Sequence, residues 1–161
     1  MKTYQILNHA NVSNAGASDY TDESKLFLAM WDEKRKGRAF PAWRDFDWLE
    51  MPMRVVPTLM LVDVVDGGED FRYRFFGTYH SRAHKVDMTK KLVADFSDSE
   101  YRDAILGAYR AVVDAQAPTM EHLQIRLQHL EYTVEILRLP LADDGTEIDK
   151  ILVCETLMKG G

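Results

Sequence analysis

Two histidines have the spacing in this sequence that could most readily support chemistry. His80 and His84 lie four residues apart, and on a helix this separation puts both imidazoles on one face, as a metal site requires. No Glu follows His80 in the His-Glu-x-x-His order, and no third ligand is set by spacing, whereas a zinc site takes three or four ligands. The pattern therefore favours two polar histidines on an exposed helix face over a metal site.

The single cysteine, Cys154, lies in a run of β-branched and apolar residues with no histidine near it in sequence. A buried and inert thiol is predicted there rather than a nucleophile. One cysteine excludes an intramolecular disulfide framework and agrees with a reducing compartment. The sequence has no Gly-rich phosphate loop, no Gly-x-Ser-x-Gly elbow and no Cys-x-x-Cys pair, so these motifs predict no catalytic constellation.

Two arginines alternate with aromatic residues along one predicted strand. Arg72 and Arg74 project from the face opposite the aromatic side chains. A guanidinium can clamp a carboxylate with two hydrogen bonds, so we expect Arg74 to fix the preceding segment through an acidic residue. Anion binding by both arginines is the alternative. The acidic candidates are Asp45, Asp47 and Glu50.

The composition is that of an ordinary globular protein. Of the 161 residues, 46% are hydrophobic and 29% are charged, which predicts one domain with a sizeable core. The net charge of -6 argues against nucleic acid as a partner. Because the sequence has neither a signal-peptide pattern nor an apolar run of membrane-spanning length, we expect a cytoplasmic protein with no membrane partner.

A leader and an amphipathic helix are predicted at the start of the chain. Residues 1–18 are interpreted as a flexible leader, because Asn, Ser and Gly favour turns over regular structure. Residues 19–37 are predicted to form a helix outside the core, with Leu26 and Met30 at helical spacing on its apolar face. A connector broken by prolines and rich in aromatic residues follows it.

The rest of the chain predicts an α+β fold. Two strands joined by a glycine turn are followed by two helices and then by three strands. This order indicates a five-stranded antiparallel sheet with helices gathered on one face. Residues 19–161 form a single domain in this interpretation, with a core over about 55–157. The predicted strands are Val55–Val65, Phe71–Gly77, Thr119–Leu127, Tyr132–Leu141 and Ile148–Leu157, and the helices are Tyr79–Val86 and one from Ser97 or Ser99 to about Gln116.

The segment from Asp63 to Thr78 resembles a known family. A strand that ends in Asp is followed there by a short turn and by the strand Arg-Tyr-Arg-Phe-Phe-Gly-Thr. Together with the preceding lead-in, this pattern is similar to the PAS superfamily, and most similar to its stand-alone bacterial PAS-fold-5 group. The resemblance covers about Lys25 to Leu157. It implies a five-stranded antiparallel sheet, a long helix across it and a ligand or partner surface between them, and it implies no catalytic residues.

A ligand site is expected between the sheet and the helices. An apolar wall with a few hydroxyl and imidazole groups suits a small apolar or aromatic molecule held by one or two hydrogen bonds. Solid packing of the same side chains is the alternative. The candidate ligand-binding residues are Tyr73, Phe75, Tyr79, His80, Ile105, Tyr109, Leu123 and Ile136.

The favoured function is a non-enzymatic sensory, ligand-binding or interaction module that signals through a separate effector protein. The alternative is a small enzyme of the cone-shaped α+β barrel type that uses a histidine as general base in an apolar pocket. Haem-binding PAS proteins use a helix histidine as axial ligand, so the resemblance leaves haem open as a cofactor. The candidate bases are His80, His84 and His122.

A homodimer is expected through the predicted N-terminal helix. Its apolar arc is wide, and a monomer rarely leaves such a patch in water. The helix therefore either folds back over the outer face of the sheet or pairs with its copy, and many PAS proteins dimerise through a flanking helix. The residues that form the arc are Leu26, Phe27, Met30 and Trp31.

Overall fold

A computed structural model describes residues 2–11, 20–127 and 130–158. All six strands belong to one antiparallel sheet, and three α-helices pack against it. Among the described residues, no helix is long and apolar enough to cross a membrane. In chain order the elements are β1 (Lys2–Asn11), α1 (Asp22–Arg35), β2 (Leu59–Val65), β3 (Asp70–Phe76), α2 (Thr78–His84), α3 (Ser99–Ala115), β4 (Thr119–Leu127), β5 (Leu130–Leu141) and β6 (Lys150–Leu157).

The five predicted strands form a continuous sheet in the order β4-β5-β6-β2-β3. Aromatic residues alternate with arginines in β3, whereas β2 and β6 are nearly continuous apolar runs, as expected of strands buried on both faces. Helices α2 and α3 cover one face of this sheet. The predicted α+β architecture is thus confirmed.

The leader predicted over residues 1–18 differs from the structure in part. Lys2–Asn11 forms β1, which pairs antiparallel with β4 and extends the sheet to six strands. Without β1, β4 would be an edge strand with unpaired backbone groups, and such an edge readily accepts another strand. The remainder of the predicted leader, residues 12–18, lies outside the described residues.

Helix α1 is part of the core, which corrects the prediction that it lies outside. It packs on the sheet face opposite α2 and α3, with Phe27, Met30 and Trp31 buried. The indole Nε1 of Trp31 donates a buried hydrogen bond of 2.8 Å to the carbonyl oxygen of Pro140 in β5. The apolar arc of the helix is therefore used within the chain, so it supplies no argument for the homodimer, which stays a prediction.

The connector between α1 and β2 shares this second face. It is broken into three short 3-10 turns, at Trp43–Asp45, Trp48–Glu50 and Val56–Thr58, as its prolines predict. Arg38 forms an ion pair of 2.6 Å with Asp45 and so joins the end of α1 to the first turn. Both faces of the sheet are therefore covered.

A β-bulge changes which side chains of β3 face the helices. Leu61 pairs with Phe75 but Val62 pairs with Tyr73, so Arg74 is an extra residue opposite β2. An extra residue reverses the alternation of side chains beyond it. Arg74 pairs with Asp63 on the neighbouring strand at 3.1 Å, and not with an acid of the connector as predicted.

A buried carboxylate fastens the start of α1 to the sheet. Glu135 of β5 has no solvent exposure, and it accepts hydrogen bonds from the backbone N and the Oγ1 of Thr21 at 2.8 and 2.7 Å. The Nε2 of His122 lies 2.9 Å from its other oxygen. Burial acts to raise the pKa of Glu135, but hydrogen bonds from Thr21 and His122 outweigh it and hold that pKa below its usual value.

Replacing this carboxylate should lower stability in a pH-dependent way. Because the pKa of Glu135 is lower in the folded protein than in the unfolded chain, its stabilisation is present above about pH 4.5 and is lost as the pH falls through the folded value. We expect Glu135→Gln to lower the free energy of unfolding by about 1–3 kcal/mol at pH 7, and by less at pH 3. Urea unfolding at both pH values measures the difference.

The control for this prediction is Glu147→Gln, which makes the same change at an exposed turn and should leave stability nearly unchanged. An equal loss of stability for Glu135→Gln at pH 7 and at pH 3 would contradict the assigned role of the carboxylate.

Candidate ligand-binding site

A cavity of about 70 Å³ lies between the sheet and the two helices α2 and α3. Its wall combines apolar side chains with hydroxyl, imidazole, guanidinium and carboxylate groups, a mixture typical of small-molecule sites. The lining residues are Met60, Tyr73, Tyr79, His80, Ala83, His84, Tyr101, Ala104, Ile105, Ala108, Tyr109, Glu121, Leu123, Ile125, Tyr132, Ile136, Arg138 and Glu155.

Most of the residues that the sequence singles out for a ligand site line this cavity. They are Tyr73, Tyr79, His80, Ile105, Tyr109, Leu123 and Ile136. Phe75 does not line it and packs on the opposite face of the sheet, where its ring centroid lies 5.5 Å from that of Trp48. The alternation that groups Phe75 with Tyr73 is broken by the β-bulge at Arg74.

Three charged residues of the cavity are missing from the sequence prediction. Glu121, Arg138 and Glu155 project from the same face of the sheet as the apolar lining residues. Glu121 and Glu155 pair with Ile136 from its two sides, so these two acids and Ile136 share one row across β4, β5 and β6. The period-two pattern contains this signal, because Glu121 has the same parity as Leu123, and Arg138 the same parity as Ile136.

His80 is buried, which corrects the expectation of two histidines on an exposed helix face. Its side chain is 2% exposed. Its Nε2 lies 2.8 Å from the carbonyl oxygen of Thr58, and its Nδ1 lies 3.2 Å from Oε2 of Glu155. A carbonyl oxygen can only accept, so Nε2 donates to Thr58, and the carboxyl group of Glu155 lies beside Nδ1.

The other cavity histidine is joined to α3. The Nε2 of His84 lies 3.2 Å from the hydroxyl oxygen of Tyr101, a contact between α2 and α3 at the cavity wall. Within the described residues, no group of three His, Cys, Asp or Glu side chains is arranged to hold a metal ion.

The cavity does not fit a haem. Its volume of about 70 Å³ is well below the roughly 300–1,000 Å³ of typical cofactor sites. An iron ligand also needs a free imidazole nitrogen, whereas both nitrogens of His80 have partners in the protein.

The tyrosine hydroxyls of the cavity remain protonated near neutral pH. Burial raises the pKa of Tyr73 well above its usual value, and burial also raises that of Tyr109. Burial and the nearby charge of Glu155 raise the pKa of Tyr79 and Tyr132. The hydroxyl oxygens of Tyr73 and Tyr109 are 3.1 Å apart, so one donates to the other and the second proton is available to another acceptor.

Arg138 is the most deeply buried cation of the cavity wall, with its side chain 2% exposed. Its Nη1 lies 3.0 Å from Oε1 of Glu121, and its Cζ lies 5.6 Å from the ring centroid of Tyr109. The ion pair balances its charge, and the cation lies over the face of the aromatic ring.

Two further candidates lie outside the cavity. His122 projects to the opposite face of the sheet, where it contacts Glu135 beside the start of α1. Cys154 is buried on that face as well, and burial raises the pKa of its thiol to about 12. This confirms the prediction of a buried, inert cysteine.

Gly77 allows α2 to approach the start of β2. A Cβ at this residue would lie 2.2 Å from the carbonyl oxygen of Pro57 and 2.7 Å from that of Leu59. Both contacts are with backbone, which cannot turn aside as a side chain can. The close approach brings His80, three residues later, to the carbonyl oxygen of Thr58.

The same substitution at two glycines should therefore have opposite effects. We expect Gly77→Ala to lower the free energy of unfolding by about 1–3 kcal/mol, because the added methyl group overpacks a tight backbone contact. Gly107→Ala in α3 has open space around its Cβ and should raise stability by about 0.5–1 kcal/mol through helix propensity. Urea unfolding of both variants measures this, and a stable Gly77→Ala variant would refute the close approach.

Comparison with known protein families gives one match over most of the chain. A family model described as PAS domain matches residues 21–154. This range begins just before α1 and ends in β6, so it includes every lining residue of the cavity except Glu155. Comparison with curated protein sequences gives no match.

Comparison with solved structures finds similarity to the structure of an RNA-binding Light-Oxygen-Voltage receptor. The TM-score is 0.41 and the sequence identity is 11%, over 98% of this chain and 39% of that chain. This chain thus spans well under half the length of that receptor. At this TM-score we base no functional conclusion on the similarity.

Proposed function

We propose that this chain, which belongs to the PAS domain family, is a sensory module that binds a small molecule in the cavity between the sheet and α2 and α3. Members of this family are generally sensory, non-enzymatic modules. The observation that carries this proposal is the cavity itself. It interrupts an otherwise buried core, and it brings polar groups from two helices and four strands to one place. Solid packing, the alternative for these side chains, would leave no such space.

The chemistry of the wall favours a compact molecule with an apolar or aromatic body. Ile105, Leu123 and Ile136 supply an apolar surface, and the tyrosine hydroxyls supply neutral donors. Such a surface binds a ring or a branched chain through burial of apolar area and orients it through a few hydrogen bonds.

The small size of the cavity couples binding to movement. A cavity of about 70 Å³ is about half the roughly 150 Å³ that accommodates benzene in an engineered core. A ligand of that size or larger therefore displaces part of the wall. Helix α2 has only seven residues, and a short helix is easier to displace than a long one. We therefore propose that ligand binding displaces α2.

A displacement of α2 would reach the opposite face through His80. This residue contacts Thr58, and the hydroxyl of Thr58 in turn donates to the carbonyl oxygen of Val55 at 2.6 Å. The connector that contains Val55 also exposes Leu49 and Met53, with 93% and 89% of their surface accessible. We propose that a separate effector protein reads the change at this exposed part of the connector.

An enzymatic function of the cavity has one observation in its favour, the pairing of His80 with Glu155. A general base needs a nitrogen that can reach the substrate proton. Both nitrogens of His80 are already held by Thr58 and Glu155, so this pair is better suited to positioning α2. The sensory function is therefore the one that we propose.

Native mass spectrometry of freshly purified protein tests the proposal. We expect the wild-type protein to retain a small molecule, or to take one up from a fragment mixture. Ala108→Phe places a ring inside the cavity and should reduce binding at least about tenfold, because the space for the ligand is filled. The same spectra report whether the protein is a homodimer.

The matched control is Ala111→Phe, which makes the same change about one turn further along α3. Ala111 does not line the cavity, so this variant should bind the ligand as the wild-type protein does. Absence of binding by the wild type, or equal binding by Ala108→Phe, would contradict the proposal. Conversion of the bound molecule that is abolished by His80→Ala would instead establish the enzymatic alternative.

A further inference from the structure

Three buried polar atoms have no hydrogen-bond partner among the described side chains and backbone. They are Nε and Nη1 of Arg138 and Oγ1 of Thr119. Thr119 and Arg138 are directly opposite each other on β4 and β5, so their side chains lie together on one face of the sheet. Native proteins satisfy nearly all buried polar groups, and a cluster of exceptions indicates that something else binds there.

The protein's own groups leave these donors of Arg138 unsatisfied for geometric reasons. Glu121 lies 3.0 Å from Nη1, but this contact does not meet hydrogen-bond geometry, so it neutralises the charge without accepting the proton. The Cζ of Arg138 lies over the ring of Tyr109, a contact between the cation and the ring face that supplies no acceptor oxygen to the guanidinium. Nε and Nη1 therefore remain without an acceptor.

The charges around the cavity indicate that this acceptor is neutral. Arg138 is already paired with Glu121, and the formal charges of these two side chains cancel. The remaining acid of the wall, Glu155, lies beside His80, so the wall offers no excess positive charge to a ligand. A ligand carboxylate would bring a further negative charge into a buried site without a free cation beside it among the described residues, which is costly.

From these observations we infer that the cavity selects a neutral ligand whose carbonyl-type oxygen accepts a hydrogen bond from the guanidinium of Arg138. This inference rests on the proposed ligand-binding function and names the chemical class of the ligand. Arg138 provides the donor, and the apolar residues of the wall contact the rest of the molecule. Thr119, whose hydroxyl also has no partner, lies directly opposite Arg138 on the neighbouring strand.

Three probes of nearly equal size distinguish a neutral ligand with an acceptor oxygen from a ligand without an acceptor and from an anionic ligand. Acetophenone has a neutral carbonyl oxygen, ethylbenzene lacks an acceptor, and benzoate carries a negative charge. We expect the wild-type protein to bind acetophenone at least about tenfold more tightly than either of the others, because only acetophenone satisfies a buried charged donor without adding charge. Titrations followed by ligand-observed NMR measure the three affinities.

The side chain of Arg138 supplies a direct readout. Its Nε–H resonance in an arginine-selective ¹H–¹⁵N spectrum should shift, and its exchange with water should slow, when acetophenone is added. Ethylbenzene should not slow the exchange, because it offers no acceptor. The resonance is assigned by its loss in an Arg138 variant.

The informative variant is Arg138→Met combined with Glu121→Gln. It removes the donor and the acid together, since loss of Arg138 alone would remove the cation that balances the buried charge of Glu121. This variant should bind acetophenone and ethylbenzene with affinities within about twofold of each other. Arg82→Met, at an exposed residue of α2, is the control and should keep the wild-type preference.

Equal binding of acetophenone and ethylbenzene by the wild type would overturn this inference and would mean that water satisfies Arg138. If benzoate bound most tightly, the inference that the ligand is neutral would be wrong. If none of the three probes affected the Arg138 resonance, the inference that Arg138 donates a hydrogen bond to the ligand would be wrong. The ligand-binding function itself is judged separately, by retention in the wild type and its loss in Ala108→Phe.

Discussion

Burial of the central strands on both faces is the constraint on which the rest of this structure depends. Strands β5 and β6 are covered by α1 and the connector on one side and by α2 and α3 on the other. Every residue of β5 from Val134 to Leu141 is buried, so a polar side chain there must find a partner within the protein or be left unsatisfied at a cost in stability. The polar residues of β5 show both outcomes, because Glu135 accepts several hydrogen bonds whereas Arg138 has donors without acceptors.

The two faces accordingly have different roles. On the face of α1, the buried carboxylate of Glu135 is matched to the first turn of a helix, and the indole of Trp31 is bonded to Pro140. These contacts close that face and fix the helix. On the face of α2 and α3, the packing leaves a cavity, and the ion pair of Arg138 and Glu121 in its wall retains hydrogen-bonding capacity. Unsatisfied capacity in a concave, mostly apolar space is the physical basis for recognition of a ligand.

His80 connects these two regions. It projects from a helix whose approach to the sheet requires glycine at residue 77, and it spans from Glu155 in the cavity wall to Thr58 at the end of the connector. A short helix held mainly by such contacts is easier to displace than a long one that packs along its whole length. The same contacts that position α2 therefore also provide a route from the cavity to the opposite surface.

The order of strands and helices along the chain and most of the cavity lining were determined by the sequence alone, because period-two and helical patterns report which side chains share a face. The same alternation places Glu121 and Arg138 on the cavity face, but the sequence prediction omitted them, because charged residues are seldom expected inside a core. Only the tertiary structure decided three features. The bulge at Arg74 turned Phe75 to the other face, Lys2–Asn11 found a partner in β4, and α1 folded back onto the sheet. Each depends on contacts between segments far apart in the chain, whose energies are not encoded in any local pattern.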